Sequence, residues 1–329
     1  MEQAIIRSLV QFEAHGARGL AGLDVGGNAQ ILSGASTTLD LARQALAEGK
    51  TLAGLASERG AGALDLATVR LLTPIDHADP AHLTVSGTGL THLGSAEGRD
   101  RMHKAAAAGN ATDSMRMFLM GEEGGKPVEG QAGVQPEWFY KGDGSILVAP
   151  GAELAMPAFA EDGGEEPEIA GIYLVGDAGD VLRLGFALGN EFSDHKVERA
   201  NYLWLAHSKL RQAALGPELL LGELPPDVRG ASRIFRDGAV LWERPFLTGE
   251  ANMTHSLANL EHHHFKYARF RRPGDVHVHF FGTGTASFAD GIETREGDVF
   301  EIEAEPFRLA LRNPLTRKRA GGLVRTRPL

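Results

Sequence analysis

In the stretch "TTLDLARQALAEG" (residues 37–49) apolar positions recur three and four apart. Leu39, Ala42, Ala45 and Leu46 fall on one face, Thr37 can cap the start and Gly49 the end, so the pattern predicts an amphipathic helix. Before it, "RGLAGLDV" predicts a strand, Gly26-Gly27-Asn28 a turn and "AQILS" a short return strand. After it, "TVRLLTPI" predicts another strand, and Pro74 with "DHADPAH" marks a boundary. The expectation is a small N-terminal α/β domain over residues 1–80 and a second domain over 81–329. From about residue 83 the pattern changes to short apolar runs separated by Gly, Asp and Pro, the signature of a mainly β domain rather than of βαβ repeats. Helical periodicity interrupts it in "GRDRMHKAAAAG" and "MTHSLANLEHHHFKYARF". The polar, Gly-rich "GEEGGKPVEGQAGVQPE" is expected to be a long mobile loop.

One hairpin carries the chemistry. "EEPEIAGIYLV" predicts a strand, "GDAGD" a turn and "VLRLGFALGN" the returning strand. Side chains alternate along a strand, so Glu166 and Glu168 point to the same face. Centring the turn on Ala178-Gly179 sets Glu166 opposite Glu191. Like charges so placed repel unless something neutralises them, and a hard divalent cation does so. Three carboxylates suit Mg²⁺, Mn²⁺ or Ca²⁺, with water or substrate in the open positions. The competing reading is that "EDGGEEPE" is a solvated acidic loop.

Composition narrows the field. The chain has 329 residues, 43% of them hydrophobic, ample for a buried core. Its 33 Lys and Arg against 43 Asp and Glu leave a net charge of −10, which argues against a partner with a phosphate backbone, so no nucleic acid is expected. With no cysteine, disulfides, zinc–thiolate sites, iron–sulfur clusters and a thiol nucleophile are excluded. "MEQAIIRSLVQFEAHG" carries no apolar run long enough for a signal peptide, and no later stretch is long enough for a membrane span. A cytoplasmic chain with no membrane partner is expected.

The ordered series "EEPEI", the hairpin, "GNEFSDH", "SKLRQAALGPEL" and "FGTGTASFADGIETREGDVFEIE" resembles the fumarylacetoacetate hydrolase (FAH) superfamily, in its bacterial branch tied to sugar-acid breakdown. The resemblance spans roughly residues 80–315. It implies an α+β fold, a mixed-β roll of the FAH type with a small N-terminal α/β domain, usually a homodimer. It also implies Mg²⁺ (or Mn²⁺) held by Glu166, Glu168 and Glu191. Asn190-Glu191 stands where an Asn-Asp pair is usual, so that carboxylate is one methylene longer. The resemblance further makes Lys209 the active-site lysine, its pKa depressed by the nearby cation and so fitted for proton transfer. Gly284 and Thr285 match positions that contact the substrate carboxylate, and Lys141 lies on a lysine-bearing strand as a further substrate contact. Ser95 stands where the superfamily's hydrolases carry a catalytic His, so the hydrolytic dyad is absent; His92 and Glu97 are near enough to substitute for it.

A 2-oxo acid can chelate such a metal, which then stabilises the enolate formed when C3 loses a proton. From a 2-keto-3-deoxy sugar acid that enolate expels the C4 hydroxyl, and a pentonate ends as the semialdehyde of 2-oxoglutarate. The expected function is a Mg²⁺-dependent hydro-lyase of this kind. Two alternatives stand beside it: a C–C hydrolase of acylpyruvate-like diketo acids, and a metal-dependent sugar-acid-binding protein without turnover.

Other features are discounted. The three histidines of "EHHHF" point about 100° apart on a helix and are expected on its surface. "HVH" (277–279) is expected in the core or an interface. "FGTGTASFADG" lacks both the P-loop lysine and dinucleotide-binding spacing.

Overall fold

The structure is a computed structural model that describes residues 5–94, 104, 108–109 and 112–329. Its centre is the predicted hairpin, strands Pro167–Val175 and Val181–Asn190. The first of these is buried along its whole length, because each face has its own core to fill. Ala170, Ile172 and Leu174 join Leu9, Leu41, Leu55, Val85 and Val278 in one apolar cluster. Ile169 on the other face joins Phe186, Leu188, Phe246, Phe281 and Phe300 in a second. A strand covered on both sides reads as an unbroken apolar run rather than an alternation, as "IAGIYLV" does.

These cores separate three layers. A 13-stranded mixed sheet runs from Gly60–Ala63 through Ala29–Leu32, Ala17–Asp24, Ile6–Ala14, Glu218–Leu220, the central hairpin, Val276–Phe280 and Leu83–Gly87 to Phe139–Asp143. Helices Thr38–Ala47 and Leu52–Glu58 cover one face through Leu39, Leu41, Ala42, Leu55 and Ala56. A five-stranded sheet ordered Ala239–Thr248, Val228–Arg236, Val299–Ala304, Leu311–Arg317 and Leu154–Met156 covers the other. This is a mixed α+β roll of the FAH type. The N-terminal strands continue the large sheet, Leu9 pairing with Leu219, and share its core with the segments that follow.

Several expectations change. The strand Ile6–Ala14 was not foreseen in "IIRSLVQFEA", and only Arg70–Leu71 of "TVRLLTPI" pairs as a strand. Thr37 does cap its helix, accepting from the Asp40 N–H, but the buried face takes Leu41, while Leu46 stands 43% exposed. Residues 121–137 are a loop only from 125 on. Helix Asp113–Gly124 supplies the first four, and Asn259 fastens the segment at Gly133 and Val134, its side chain accepting from the Gly133 N–H and donating to the Val134 carbonyl. "MTHSLANLEHHHFKYARF" forms the helix Leu257–Phe265 and a 3₁₀ turn. "GRDRMHKAAAAG" falls almost wholly outside the described residues. No helix among the described residues is long and apolar enough to cross a membrane.

The hairpin register keeps Glu166 opposite Glu191, by compensation. The turn holds three residues between Gly176 and Asp180, one more than expected, and Leu184 is left unpaired as a bulge that restores the register toward the carboxylates. Gly185 beside the bulge takes φ +157°, and a Cβ there would strike the Leu220 carbonyl.

Candidate metal centre

Glu166, Glu168 and Glu191 come together at the base of the hairpin. One carboxylate oxygen from each lies within 4.8 Å of the others, and all three residues are buried. The ladder sets the geometry: Pro167 pairs with Asn190 and Glu168 with Gly189, and the Glu191 N–H donates to the Glu166 carbonyl at 2.9 Å.

Two lysines face this triad. Lys209, at the end of helix Leu205–Lys209, donates to Glu166 Oε1 at 2.5 Å, Glu191 Oε2 at 2.7 Å and Ser193 Oγ at 3.2 Å. Burial disfavours its charge, but Glu166, Glu191 and Glu198 outweigh burial and raise its pKa well above the usual lysine value. With the protein's own groups alone, Lys209 is therefore held as an ammonium. The depressed pKa expected from sequence belongs to the site with a cation bound.

Lys141 is fully buried. It ion-pairs with Glu191 Oε1 and donates to the carbonyls of Phe192 at 2.8 Å and Lys209 at 3.0 Å. Those contacts leave it no role as a substrate contact; it is the fixed counter-ion behind Glu191.

The third carboxylate is less well matched. Glu166 has Lys209 and His195, and Glu191 has both lysines, whereas Glu168 accepts from the Gly282 N–H at 2.7 Å and makes no ion pair among the described residues. Burial first, then the charges of Glu191 and Glu166, push its pKa well above the carboxylate range. Burial opposes ionisation of Glu166 too, but there Lys209 and His195 prevail and hold its carboxyl below the usual range. Glu168 is thus the one triad carboxylate with no cation paired to it among the described residues. An all-oxygen donor set of three converging carboxylates fits a hard divalent ion.

Sequence reasoning missed several neighbours. His195 stands between Asp162 Oδ2, 3.3 Å from Nδ1, and Glu166 Oε1, 3.1 Å from Nε2. Burial opposes its protonation, but the Asp162 and Glu166 hydrogen bonds raise its pKa to about 10, so it stays an imidazolium. Glu137 lies beside the cluster, its Oε1 buried and without a hydrogen-bond partner. Burial, helped by Glu198, Glu166 and Glu191 and opposed by Lys209, raises its pKa to about 7. Glu137 also lines a cavity of about 320 Å³ with Met117, Trp138, Tyr202 and His263. His195 sits in the quoted "GNEFSDH", where its spacing from the carboxylates was the available signal. Nothing local to "QPEWF" marks Glu137.

His92 is brought near by the Gly282 loop, but both ring nitrogens are engaged, Nδ1 with Thr91 Oγ1 at 3.0 Å and Nε2 with Thr248 Oγ1 at 2.8 Å. Burial lowers its pKa to about 3. A ring that stays neutral with both nitrogens occupied is no proton carrier, which corrects its expected role. Gly284 lies exposed in the loop, as a binding position requires. The Thr285 hydroxyl, expected to meet substrate, donates to the Pro245 carbonyl at 2.9 Å, and its N–H donates to Thr283 Oγ1 at 3.1 Å. Ser95 and Glu97 lie outside the described residues. The "EHHHF" expectation fails for His264, which is fully buried against His277 and His279; the core placement of "HVH" is what the structure has.

The fold is a mixed α+β roll, and its site is a triad of converging carboxylates. No family model matches the chain. It is 28% identical over 176 residues to a probable 2-keto-3-deoxyxylonate dehydratase of Haloferax volcanii, covering 52% of this chain and 57% of that protein. The chain thus spans little more than half the length of the curated relative it matches. Among solved structures, it superposes on a 2-keto-3-deoxy-D-arabinonate dehydratase complexed with magnesium and 2,5-dioxopentanoate with a TM-score of 0.69 and 18% identity, over 95% of this chain and 100% of that one. A 5-carboxymethyl-2-hydroxymuconate delta-isomerase from Mycobacterium smegmatis gives a TM-score of 0.58 and 19% identity over 95% and 100%. At such identities the likeness is one of fold.

Proposed function

We propose that the chain is a divalent-metal-dependent hydro-lyase that dehydrates a 2-keto-3-deoxy sugar acid of pentonate length. The carrying observation is the buried triad with its uncompensated Glu168. The magnesium and dioxopentanoate of the arabinonate dehydratase and the activity of the xylonate dehydratase relative support the same reading.

Glu166, Glu168 and Glu191 would hold Mg²⁺ or Mn²⁺. When bound, such an ion polarises the 2-oxo group as a Lewis acid and favours loss of a proton from C3. Glu137, with a pKa near neutrality and an unpaired oxygen, is the base for that proton. Lys209, held as an ammonium, gives a proton to the departing C4 hydroxyl, which leaves as water. Lys141 and His195 fix Glu191 and Glu166 and do not turn over. Gly284 offers close backbone approach to the substrate carboxylate. A homodimer in the cytoplasm completes the proposal, a second copy covering apolar side chains that stand in solvent, among them Phe159 (79% exposed) and Leu203 (88%).

The test is a side-by-side assay with Mg²⁺ of 2-keto-3-deoxypentonates and acylpyruvates. Dehydration with the higher kcat/KM is expected; faster acylpyruvate cleavage would hand the site to the hydrolase reading, and binding without product to the binding-protein reading.

A further inference from the structure

The peptide joining Phe281 to Gly282 is gripped at both ends. Its N–H, on Gly282, donates to Glu168 Oε2 at 2.7 Å, and its carbonyl, on Phe281, accepts from the Thr91 hydroxyl. Gly282 takes φ +92°, and a Cβ there would strike Thr91 Oγ1 and lie 2.8 Å from the Thr88 carbonyl, so only glycine lets the two sides close.

The hydrogen-bond directions behind this grip have one solution. A carbonyl only accepts, so the single hydroxyl proton of Thr91 is spent on Phe281. Thr91 must then accept from His92 Nδ1, which therefore carries the ring proton. In a neutral ring Nε2 is left as an acceptor, and Thr248 Oγ1 lies 2.8 Å from it. His92 is 5% exposed, Thr248 and Glu168 1%, and Thr91 and Phe281 are fully buried. Burial holds the His92 pKa near 3, which keeps that tautomer neutral. The chain runs one way, from Thr248 through His92 and Thr91 across the peptide to the carboxylate. Thr254 braces it from the side, its N–H donating to the Thr91 carbonyl at 2.7 Å.

We infer that His92 is a positioning residue for Glu168, acting through Thr91 and the Phe281–Gly282 peptide to aim the Gly282 N–H at the carboxylate. The inference rests on the metal reading of the triad. Donation to a peptide carbonyl polarises its N–H, and aligned hydrogen bonds in a buried site reinforce one another. The chain thereby fixes the orientation of the one triad member without an ion-pair partner and favours its ionised form. It also ties the five-stranded sheet, where Thr248 ends Ala239–Thr248, to a carboxylate on the central hairpin.

Two readouts test it on the full chain. In protein labelled with ¹⁵N-glycine and free of metal, the Gly282 amide proton should move upfield in His92→Leu and return toward its wild-type position in His92→Asn, whose amide N–H can stand where Nδ1–H stood. Thr248→Val, nearly isosteric, should give a smaller shift of the same sign and serves where His92→Leu does not fold. By calorimetry, Mg²⁺ affinity should fall about tenfold in His92→Leu, as for other outer partners of metal ligands, and recover in His92→Asn. A Gly282 amide unmoved in both His92→Leu and Thr248→Val overturns the relay, and a shifted amide with unchanged Mg²⁺ affinity overturns the positioning role. Wild-type protein that takes up no Mg²⁺ overturns the metal reading instead, and the amide signals still decide the relay.

Discussion

Glu191 lies directly across the hairpin base from Glu166, its N–H donating to the Glu166 carbonyl at 2.9 Å, so backbone pairing itself forces two carboxylates into one buried site. Lys209 bridges them. Glu168, by contrast, makes no ion pair among the described residues.

Mg²⁺ or Mn²⁺ should raise the thermal midpoint, since a ligand of the native state at 100 times its Kd adds about 2.7 kcal/mol. Differential scanning fluorimetry of Glu168→Gln should show the rise abolished. If Glu168→Gln and Glu166→Gln both keep the full metal shift, the triad is not the site.

Proton abstraction and water loss should separate. Pyruvate has a C3 hydrogen but no C4 hydroxyl, so its methyl exchange in D₂O with Mg²⁺ isolates the first step. Glu137→Gln should slow exchange and dehydration alike by about 10²- to 10⁴-fold, the usual effect of removing a general acid or base. Lys209→Met should slow dehydration by a similar factor and leave exchange much closer to wild type. Equal loss of both steps in Lys209→Met would return the C3 proton to Lys209.

The pH profile should carry Glu137's signature. A base works as its carboxylate, and burial raises this one to about 7. Dehydration should therefore increase as pH rises through about 7 and then level off. Profiles of kcat/KM for wild type and Glu137→Asp should differ in the position of that limb; identical profiles would assign it elsewhere.

Removing Lys141 should destabilise the fold. Breaking a buried ion pair costs about 3–5 kcal/mol because the remaining charge is stranded. Urea denaturation of metal-free Lys141→Met should show a loss of that order, and Lys141→Met with Glu191→Leu should recover part of it. A loss under about 1 kcal/mol in the single variant would mean that Lys209 alone satisfies Glu191.

The buried imidazoles should make the protein acid-sensitive. Burial lowers His277 to about 4 and His279 to about 3, from 6.5 in the unfolded chain. Below pH 6.5 the unfolded state binds the extra protons, so this stability is fully present above 6.5 and is lost as pH falls toward 4. For His277 the full shift corresponds to on the order of 3 kcal/mol. Thermal midpoints of His277→Phe should decline less steeply than wild type between pH 6.5 and 4; parallel curves would remove His277 as the cause.

Periodicity, turn residues and carboxylate spacing by themselves determined the central hairpin, the helix capped by Thr37 and the facing of Glu166, Glu168 and Glu191, because these are local properties of a chain with a period of two or 3.6. Even there the register survived through two offsetting features, a longer turn and a bulge at Leu184, next to Gly185, where a Cβ would strike the Leu220 carbonyl. Tertiary structure decided everything that depends on which distant segments meet. Lys141 became a buried counter-ion, His92 a neutral link, His264 a core residue and Glu137 a carboxyl poised near neutrality, each set by neighbours 29 to 178 positions away. Charge state follows desolvation and partner distance, and a linear sequence specifies neither until the layers close over the site.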